Sequence, residues 1–113
     1  MTLAVQRLTA EIAVAGQLDP AAMAEAAAAG FRSVVNNRPD FEGGPTQPTS
    51  ASIEAAARAA GLEYAFLPVA PSVQTADEIA RFAELLESLP KPILAFCRSG
   101  TRSGRLVRAA LTG

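Results

Sequence analysis

The sequence predicts an α/β fold in which a mainly parallel sheet is flanked by helices. Short apolar segments alternate with alanine-rich stretches of helical character along the chain, and this alternation is typical of βαβ units with right-handed crossovers. Helix-capping residues and glycines stand at the boundaries between these segments. We therefore expect one domain over the 113 residues, built as a three-layer sandwich around about four to five strands.

The first part of the chain predicts two strands and one helix. Ile12–Ala15 is a short apolar segment typical of a strand. Asp19 is a good N-cap residue, and it stands before a helix predicted over residues 20–29 that begins with proline, is rich in alanine and ends at Gly30. Phe31–Asn36 contains β-branched residues and predicts the second strand.

A loop, a helix and a third main strand are predicted next. Residues 37–48 contain three prolines and two glycines, which is a loop composition. A helix capped by Thr49 or Ser50 is predicted to run to Ala60, where a glycine follows. Leu62–Val69 predicts the third main strand, with a proline near its end.

The remaining residues predict a helix, a last strand and a final helix. Thr75 and Glu78 have the spacing of a capping box, so a helix is expected to begin there. Pro92–Phe96 is nearly all apolar, as a central parallel strand is. From Ser103 onward, apolar residues recur at helical spacing and predict the final helix.

Composition argues against several classes of protein. The net charge of −1 gives no reason to expect nucleic acid or an anionic membrane as a partner, and no apolar run approaches a membrane span of about 18 residues. The chain has one cysteine and no histidine, so we expect no metal and no cofactor. A lone cysteine and the lack of a secretion-signal pattern favour a cytoplasmic location.

Cys97 is the residue with the clearest reactive character. It ends the last predicted strand and precedes a glycine-containing loop and a helix. The thiolate, which is the nucleophilic form, is favoured at a helix N-terminus, where backbone N–H groups are unpaired. We expect this position, together with the charges of Arg98 and Arg102, to lower the pKa of Cys97 from about 8.5.

The residues after Cys97 have predicted roles in binding an anion. Gly100 lets the backbone curl so that its N–H groups point inward. Arg102 can grip an anionic substrate with its two-pronged guanidinium, and Ser103 can donate a hydrogen bond to the thiolate or to the departing group. The predicted anion-binding residues of the loop are Arg98, Ser99, Gly100 and Thr101.

Ligands of open parallel sheets bind beyond the carboxyl ends of the strands, where three loops are expected to gather. These loops are Asn37–Pro48, Ala70–Thr75 and Cys97–Arg102. Arg38 has two interpretations of equal weight: it helps to bind the substrate anion, or it pairs with Asp40 in a turn. Asp40 is a candidate general acid, and Glu42 is a second candidate.

Several motifs resemble known families. Phe-Cys-Arg-Ser-Gly-Thr-Arg-Ser resembles the active-site loop of single-domain rhodaneses and is one residue shorter than the tyrosine phosphatase loop. Residues 34–40, 67–71 and the Ala-Gly-Gln-Leu near residue 15 are similar to the phosphatase-like domain of beta-lactamase-hydrolase-like proteins, a resemblance that extends from about Leu8 to Leu111. It implies a dual-specificity (tyrosine) phosphatase-like fold, and either phosphatase or sulfurtransferase activity.

Three departures from the phosphatase pattern favour sulfur transfer. Only four residues separate Cys97 from Arg102, where phosphatases of this fold have five; Ala70-Pro71 stand where dual-specificity phosphatases carry an acidic residue; and Phe96 replaces their histidine. We therefore expect a rhodanese-like sulfurtransferase that carries a persulfide on Cys97. Its expected substrate is a small anionic sulfur donor, and a sulfur-metabolising enzyme is the partner that the resemblance implies.

Two other hypotheses stay open. The first is a phosphatase that hydrolyses protein phosphotyrosine or small phosphate esters through a phosphocysteine intermediate. The second is a module that binds anions without catalysis. Both use the same loop at Cys97, and they differ in whether a phosphoryl group is transferred.

Overall fold

The structure is a computed structural model that describes residues 3–112. Within that range, five strands form one sheet in the order β1-β2-β5-β3-β4, and every pair of neighbours is parallel except β1 with β2. The strands are β1 (Gln6–Arg7), β2 (Ile12–Ala15), β3 (Ser33–Asn36), β4 (Glu63–Phe66) and β5 (Ile93–Phe96). The helices are α1 (Pro20–Ala28), α2 (Ser50–Ala59), α3 (Ala76–Ser88) and α4 (Thr101–Thr112).

The predicted starts of α1, α2 and α3 are confirmed by their capping contacts. Asp19 accepts a hydrogen bond from the Ala22 N–H at 2.9 Å, with proline at the first helical position. Thr49, the first of the two residues predicted as a cap, is the N-cap of α2. Thr75 and Glu78 form the reciprocal contacts of a capping box at α3. Local capping chemistry therefore sets where each of these helices begins.

Both faces of the sheet are covered by helices, which gives the expected three layers. On one face, α1 and α2 pack through residues that include Met23, Ala26 and Ile53. On the other face, α3 and α4 pack through residues that include Phe82 and Leu106. The predicted α/β class with a mainly parallel sheet is confirmed. No helix within residues 3–112 is both long and apolar enough to cross a bilayer.

Strand β3 begins at Ser33 rather than at Phe31, and other elements also differ from the sequence prediction. Strand β1 was not predicted; it is two residues long and pairs antiparallel with β2. The third main strand, predicted over Leu62–Val69, is a ladder only over Glu63–Phe66, after which isolated hydrogen bonds hold the extended chain against β3. The regular register is lost at this point, because Leu67 donates to Asn36 whereas Val69, two residues later, donates to Asn37, only one residue further along. Helix α4 begins at Thr101 rather than Ser103.

Candidate active site

The site lies beyond the carboxyl end of β5, which is flanked by β2 and β3. Cys97 follows β5 directly and is 1% exposed. Its N–H donates to the Ala15 carbonyl at 3.3 Å, which extends the β2 pairing by one step. The Gly100 N–H donates to Cys97 Sγ at 3.1 Å. The sulfur is therefore fixed at the start of α4 by the strand before it and the loop after it.

Gly100 gives the loop its tight curl. Its φ is +90°, a value that residues with a side chain rarely adopt. A Cβ at this position would also lie 3.4 Å from the backbone C and O of Ala15. The predicted role of this glycine in aiming a backbone N–H inward agrees with this geometry.

Hydrogen bonds lower the pKa of the Cys97 thiol. Burial, the largest influence, acts in the opposite direction and raises it. The backbone N–H and the hydroxyl of Ser103, with the N–H groups of Ser99 and Gly100, outweigh burial, so that the pKa falls below 9.0. The lowered pKa of Cys97 agrees with the expectation from the sequence. The leading causes are hydrogen bonds, whereas the charges of Arg98 and Arg102 had been expected to contribute.

Arg102 is 5% exposed and is held by one edge of its guanidinium. Nη1 donates to Glu42 Oε2 at 2.9 Å and Nη2 to Glu42 Oε1 at 2.9 Å, a bidentate pair. Nη1 also donates to the Val69 carbonyl at 3.1 Å. These contacts use three of the five N–H groups of an arginine. Within residues 3–112, the Nε–H and the second Nη2–H have no partner, and these two share the other edge of the plane.

The unpaired edge of Arg102 suits an oxyanion. Two parallel N–H groups match two oxygens of a phosphate or a similar anion. The contact with Glu42 leaves these two N–H groups unpaired, because it uses the adjacent Nη1/Nη2 edge. Glu42 therefore orients Arg102 and leaves its anion-binding face open.

Glu42 and Arg38 form a partly buried ionic pair beside Arg102. Arg38 donates through Nε to Glu42 Oε1 at 2.9 Å and through Nη1 to Gln17 Oε1 at 2.9 Å. Hydrogen bonding from Arg102, assisted by Arg38 and opposed by burial, lowers the pKa of Glu42 from 4.5. Glu42 is therefore held as a carboxylate. Of the two interpretations of Arg38, pairing is observed, but with Glu42 rather than Asp40.

Asp40 lies at the start of α2. Its Oδ1 accepts a hydrogen bond from the Ser50 N–H at 2.7 Å, next to the N-cap Thr49. This contact occupies one carboxylate oxygen and explains the residue as a helix-capping group. The general-acid role of Asp40 stays a prediction.

Ser103 lies in the first turn of α4 and is fully buried. Its hydroxyl donates to Asn37 Oδ1 at 2.9 Å, while Asn37 Nδ2 donates to the Leu67 carbonyl at 3.0 Å. The sequence predicts Asn37 only as the first residue of the loop over residues 37–48. No local pattern could have revealed this contact, because Asn37 and Ser103 are 66 positions apart.

An open cleft of about 480 Å³ lies at the site, and of Arg98, Ser99, Gly100 and Thr101, Arg98 alone lines it. Its lining residues are Arg38, Glu42, Gly43, Pro71, Arg98 and Arg102. Arg98 is exposed, and so are Ser99 and Thr101, whose hydroxyls are hydrogen-bonded to each other at 3.1 Å. The structure thus brings the predicted arginines Arg38, Arg98 and Arg102 to one cleft. A cleft of this size can hold a small ligand.

Fold and site together define a cysteine-based, phosphatase-like α/β domain. A buried thiol with a lowered pKa follows the central strand, and an arginine one helical turn away presents an anion-binding edge. The chain belongs to the family described as the phosphatase-like domain of beta-lactamase hydrolase-like proteins, whose model matches residues 4–112. The family that the motifs resemble is thereby confirmed.

Curated relatives are much longer than this chain. A beta-lactamase hydrolase-like protein of Agrobacterium fabrum is 36% identical over 97 residues, which cover 86% of this chain and 22% of that protein. One from Xylella fastidiosa is 38% identical over 92 residues, covering 81% of this chain and 21% of that protein. The chain therefore spans about a fifth of the length of these relatives.

Solved structures share the fold. A candidate phosphatase from Neisseria meningitidis has a TM-score of 0.86 at 29% identity, covering 94% of this chain and 75% of that one. A mutant form of Tk-PTP has a TM-score of 0.78 at 20% identity, covering 96% of this chain and 71% of that one. The second likeness concerns the fold alone. The expected tyrosine phosphatase-like fold is confirmed.

Proposed function

We propose that this domain is a phosphatase that hydrolyses small phosphate monoesters with Cys97 as its nucleophile. The observation that carries the proposal is a sulfur that accepts backbone hydrogen bonds, followed five residues later by an arginine whose Nε/Nη2 edge has no partner within residues 3–112. Such an arrangement provides both a thiolate and donors for the oxygens of a tetrahedral anion. The family and the Neisseria meningitidis candidate phosphatase add support.

The reaction has two steps. The Cys97 thiolate attacks phosphorus, a P–S bond forms, and the ester oxygen leaves with the electron pair of the broken P–O bond. Water then adds to phosphorus and loses a proton to solvent; the P–S bond breaks, and its electron pair returns to sulfur. In both steps Arg102 binds two of the non-bridging oxygens, where negative charge is concentrated.

Sulfur transfer, the activity favoured by the sequence analysis, is the second candidate. The comparisons support a phosphatase-like assignment and give no support to a sulfurtransferase. The specific observation in its favour is the spacing of four residues between Cys97 and Arg102. A shorter loop offers fewer N–H groups, and a persulfide needs fewer of them than a phosphoryl group with three oxygens.

One experiment separates the two activities. The protein is given an aryl phosphate in one assay and thiosulfate in the other, and Cys97→Ser is run beside it. A phosphatase turns over the aryl phosphate, is inhibited by vanadate and shows a phosphorylated Cys97 peptide after acid quenching. Gain of one sulfur atom on Cys97 from thiosulfate, without phosphate turnover, would contradict the proposal and support the second candidate.

A further inference from the structure

The Asn37–Ser103 pair lies next to the chain around Cys97, since the Asn37 N–H donates to the Phe96 carbonyl at 2.8 Å, and the mechanism above gives Asn37 no task. Both side chains are fully buried. The orientation of the Asn37 amide is fixed, because Nδ2 donates to the Leu67 carbonyl at 3.0 Å and a carbonyl oxygen can only accept. Asn37 Oδ1 must therefore face Ser103, whose hydroxyl donates to it at 2.9 Å.

Asn37 and Cys97 compete for one proton. A serine hydroxyl carries a single proton and can donate only one full hydrogen bond. The Ser103 hydroxyl donates to Asn37 Oδ1, and it also stabilises the ionised sulfur. A thiolate is the stronger acceptor because it is charged, whereas a thiol or a sulfur bonded to another atom is a weak one. The direction of the hydroxyl therefore depends on the state of the sulfur.

We propose that Asn37 is a positioning residue that holds the Ser103 hydroxyl while the Cys97 sulfur is neutral and releases it when the sulfur becomes an anion. No covalent bond breaks in this change, since only the direction of the O–H group differs. The buried amide gives the hydroxyl a second acceptor, so that it is never left unpaired in the core.

The catalytic consequence rests on the phosphatase function proposed above. In the phosphocysteine intermediate the sulfur carries no charge, and the hydroxyl points at Asn37. When water adds and the P–S bond breaks, the electron pair returns to sulfur and the hydroxyl turns toward it. Asn37 thus keeps the donor close to the sulfur for the moment at which it leaves phosphorus.

This competition predicts the direction in which substitutions shift the pKa of Cys97. In Asn37→Leu the Ser103 hydroxyl no longer has the competing acceptor and can donate to the thiolate. We therefore expect the pKa of Cys97 to fall by about 0.4 to 1 pH unit, which corresponds to one ordinary hydrogen bond. Ser103→Ala is expected to raise it. The charged groups that surround the site keep their identity in both variants: they are Arg38, Glu42, Arg98 and Arg102.

The pKa of Cys97 is obtained from the pH dependence of its alkylation by iodoacetamide, an uncharged reagent. Wild type, Asn37→Leu, Ser103→Ala and the double variant are compared. The proposal requires a downward shift for Asn37→Leu and none when the same change is made in Ser103→Ala. A shift of equal size in both backgrounds, or an upward shift for Asn37→Leu, would overturn it.

Asn36→Leu is the matched control. It removes a neighbouring buried amide that contacts Tyr64 and the Arg38 N–H but not Ser103. We expect this control to leave the pKa of Cys97 within the error of the wild-type value. A downward shift as large as that of Asn37→Leu would mean that any lost amide has this effect, and it would overturn the proposal.

A second measurement uses the unaltered protein and remains informative where a variant fails to fold. The chain has two asparagines, Asn36 and Asn37, so selective ¹³C labelling gives two side-chain carbonyl signals. The Asn37 signal should move at the midpoint of Cys97 ionisation and stay constant in Cys97→Ser. An Asn37 signal whose chemical shift does not change at this midpoint would overturn the proposal. Neither measurement needs phosphatase activity, so the two proposals can fail separately.

Discussion

Two loops meet at the site, and different kinds of contact hold them. The Cys97–Arg102 loop is held mainly through backbone groups: the Gly100 N–H reaches the sulfur, and the Gln17 N–H donates to the Arg98 carbonyl at 3.1 Å. In both contacts the donor is a backbone N–H, which a side-chain substitution does not remove. The backbone conformation of this loop therefore sets the environment of the sulfur.

The loop over residues 37–48 is held mainly by its side chains. Gln47 donates to the Pro39 carbonyl and accepts from the Gly43 N–H, while Glu42 binds Arg102. Single substitutions can remove such contacts without changing the backbone. The comparison indicates a division of labour: backbone donors and Ser103 set the ionisation of the sulfur, and Glu42 sets the orientation of Arg102.

Arg102→Lys should have the largest effect on activity. A lysine cannot present two parallel N–H groups, so we expect kcat/KM to fall by about 10²- to 10³-fold. The pKa of Cys97, set chiefly by backbone groups and Ser103, should change little. Steady-state kinetics and iodoacetamide alkylation measure the two quantities. The control is Arg108→Lys, an exposed arginine of the same helix, and an equal loss there would contradict the assignment.

Glu42→Gln should have a smaller effect, because it leaves Arg102 in place but less well oriented. We expect kcat/KM to fall about 10-fold and the Cys97 pKa to stay near that of the wild type. Glu54→Gln is the matched control, since its ion pair with Arg58 is exposed and worth little. If Glu42→Gln shifted the thiol pKa as strongly as it lowered activity, the division between the loops would be wrong.

Gly100→Ala should alter the loop that surrounds the Cys97 sulfur. A side chain at φ +90° is strained and meets Ala15, so we expect a loss of about 1–2 kcal/mol in the free energy of unfolding. The Cys97 pKa should rise as the Gly100 N–H moves away. Gly61→Ala controls for strain alone, because its φ is +85° with nothing within 4 Å of the added Cβ. An equal shift of the Cys97 pKa in both variants would argue against a role of the Gly100 N–H in lowering that pKa.

Mild acid should selectively weaken the pairing of Glu42 in the loop over residues 37–48. The folded pKa of Glu42 is lowered from 4.5, so the stability that its pairing contributes is fully present above that value and is lost as pH falls through the lowered pKa. Denaturant unfolding at a series of pH values should show the gap between wild type and Glu42→Gln closing below 4.5. A gap that stays constant through this range would show that Glu42 ionisation is not the cause.

The sequence predicted what local chemistry decides. Asp19, Thr49 and Thr75 begin their helices because their side chains accept hydrogen bonds from nearby N–H groups, and such contacts lie within a few residues. The placement of Cys97 after the last strand follows from the same alternation of segments. These features required no knowledge of tertiary structure.

Contacts between distant segments could not be predicted in this way. Glu42 and Arg102 are 60 positions apart, so the sequence offered Glu42 only as a candidate acid. A separation of 66 positions likewise hid Asn37 as the partner of Ser103. Strand β1 was missed because two exposed residues carry no strand pattern, and only pairing with β2 defines them.

The position of β5 has a consequence for how the molecule reaches its native state. This strand is the last of the described strands in the chain, yet it lies between β2 and β3. Its pairings on both sides close long loops, and long-range parallel pairing is slow because the entropic cost of closure comes first. Until β5 is inserted, the thiol has neither its strand neighbours nor the donors of α4. A nascent or partly unfolded chain thus carries an ordinary cysteine, and reactivity appears only on completion of folding.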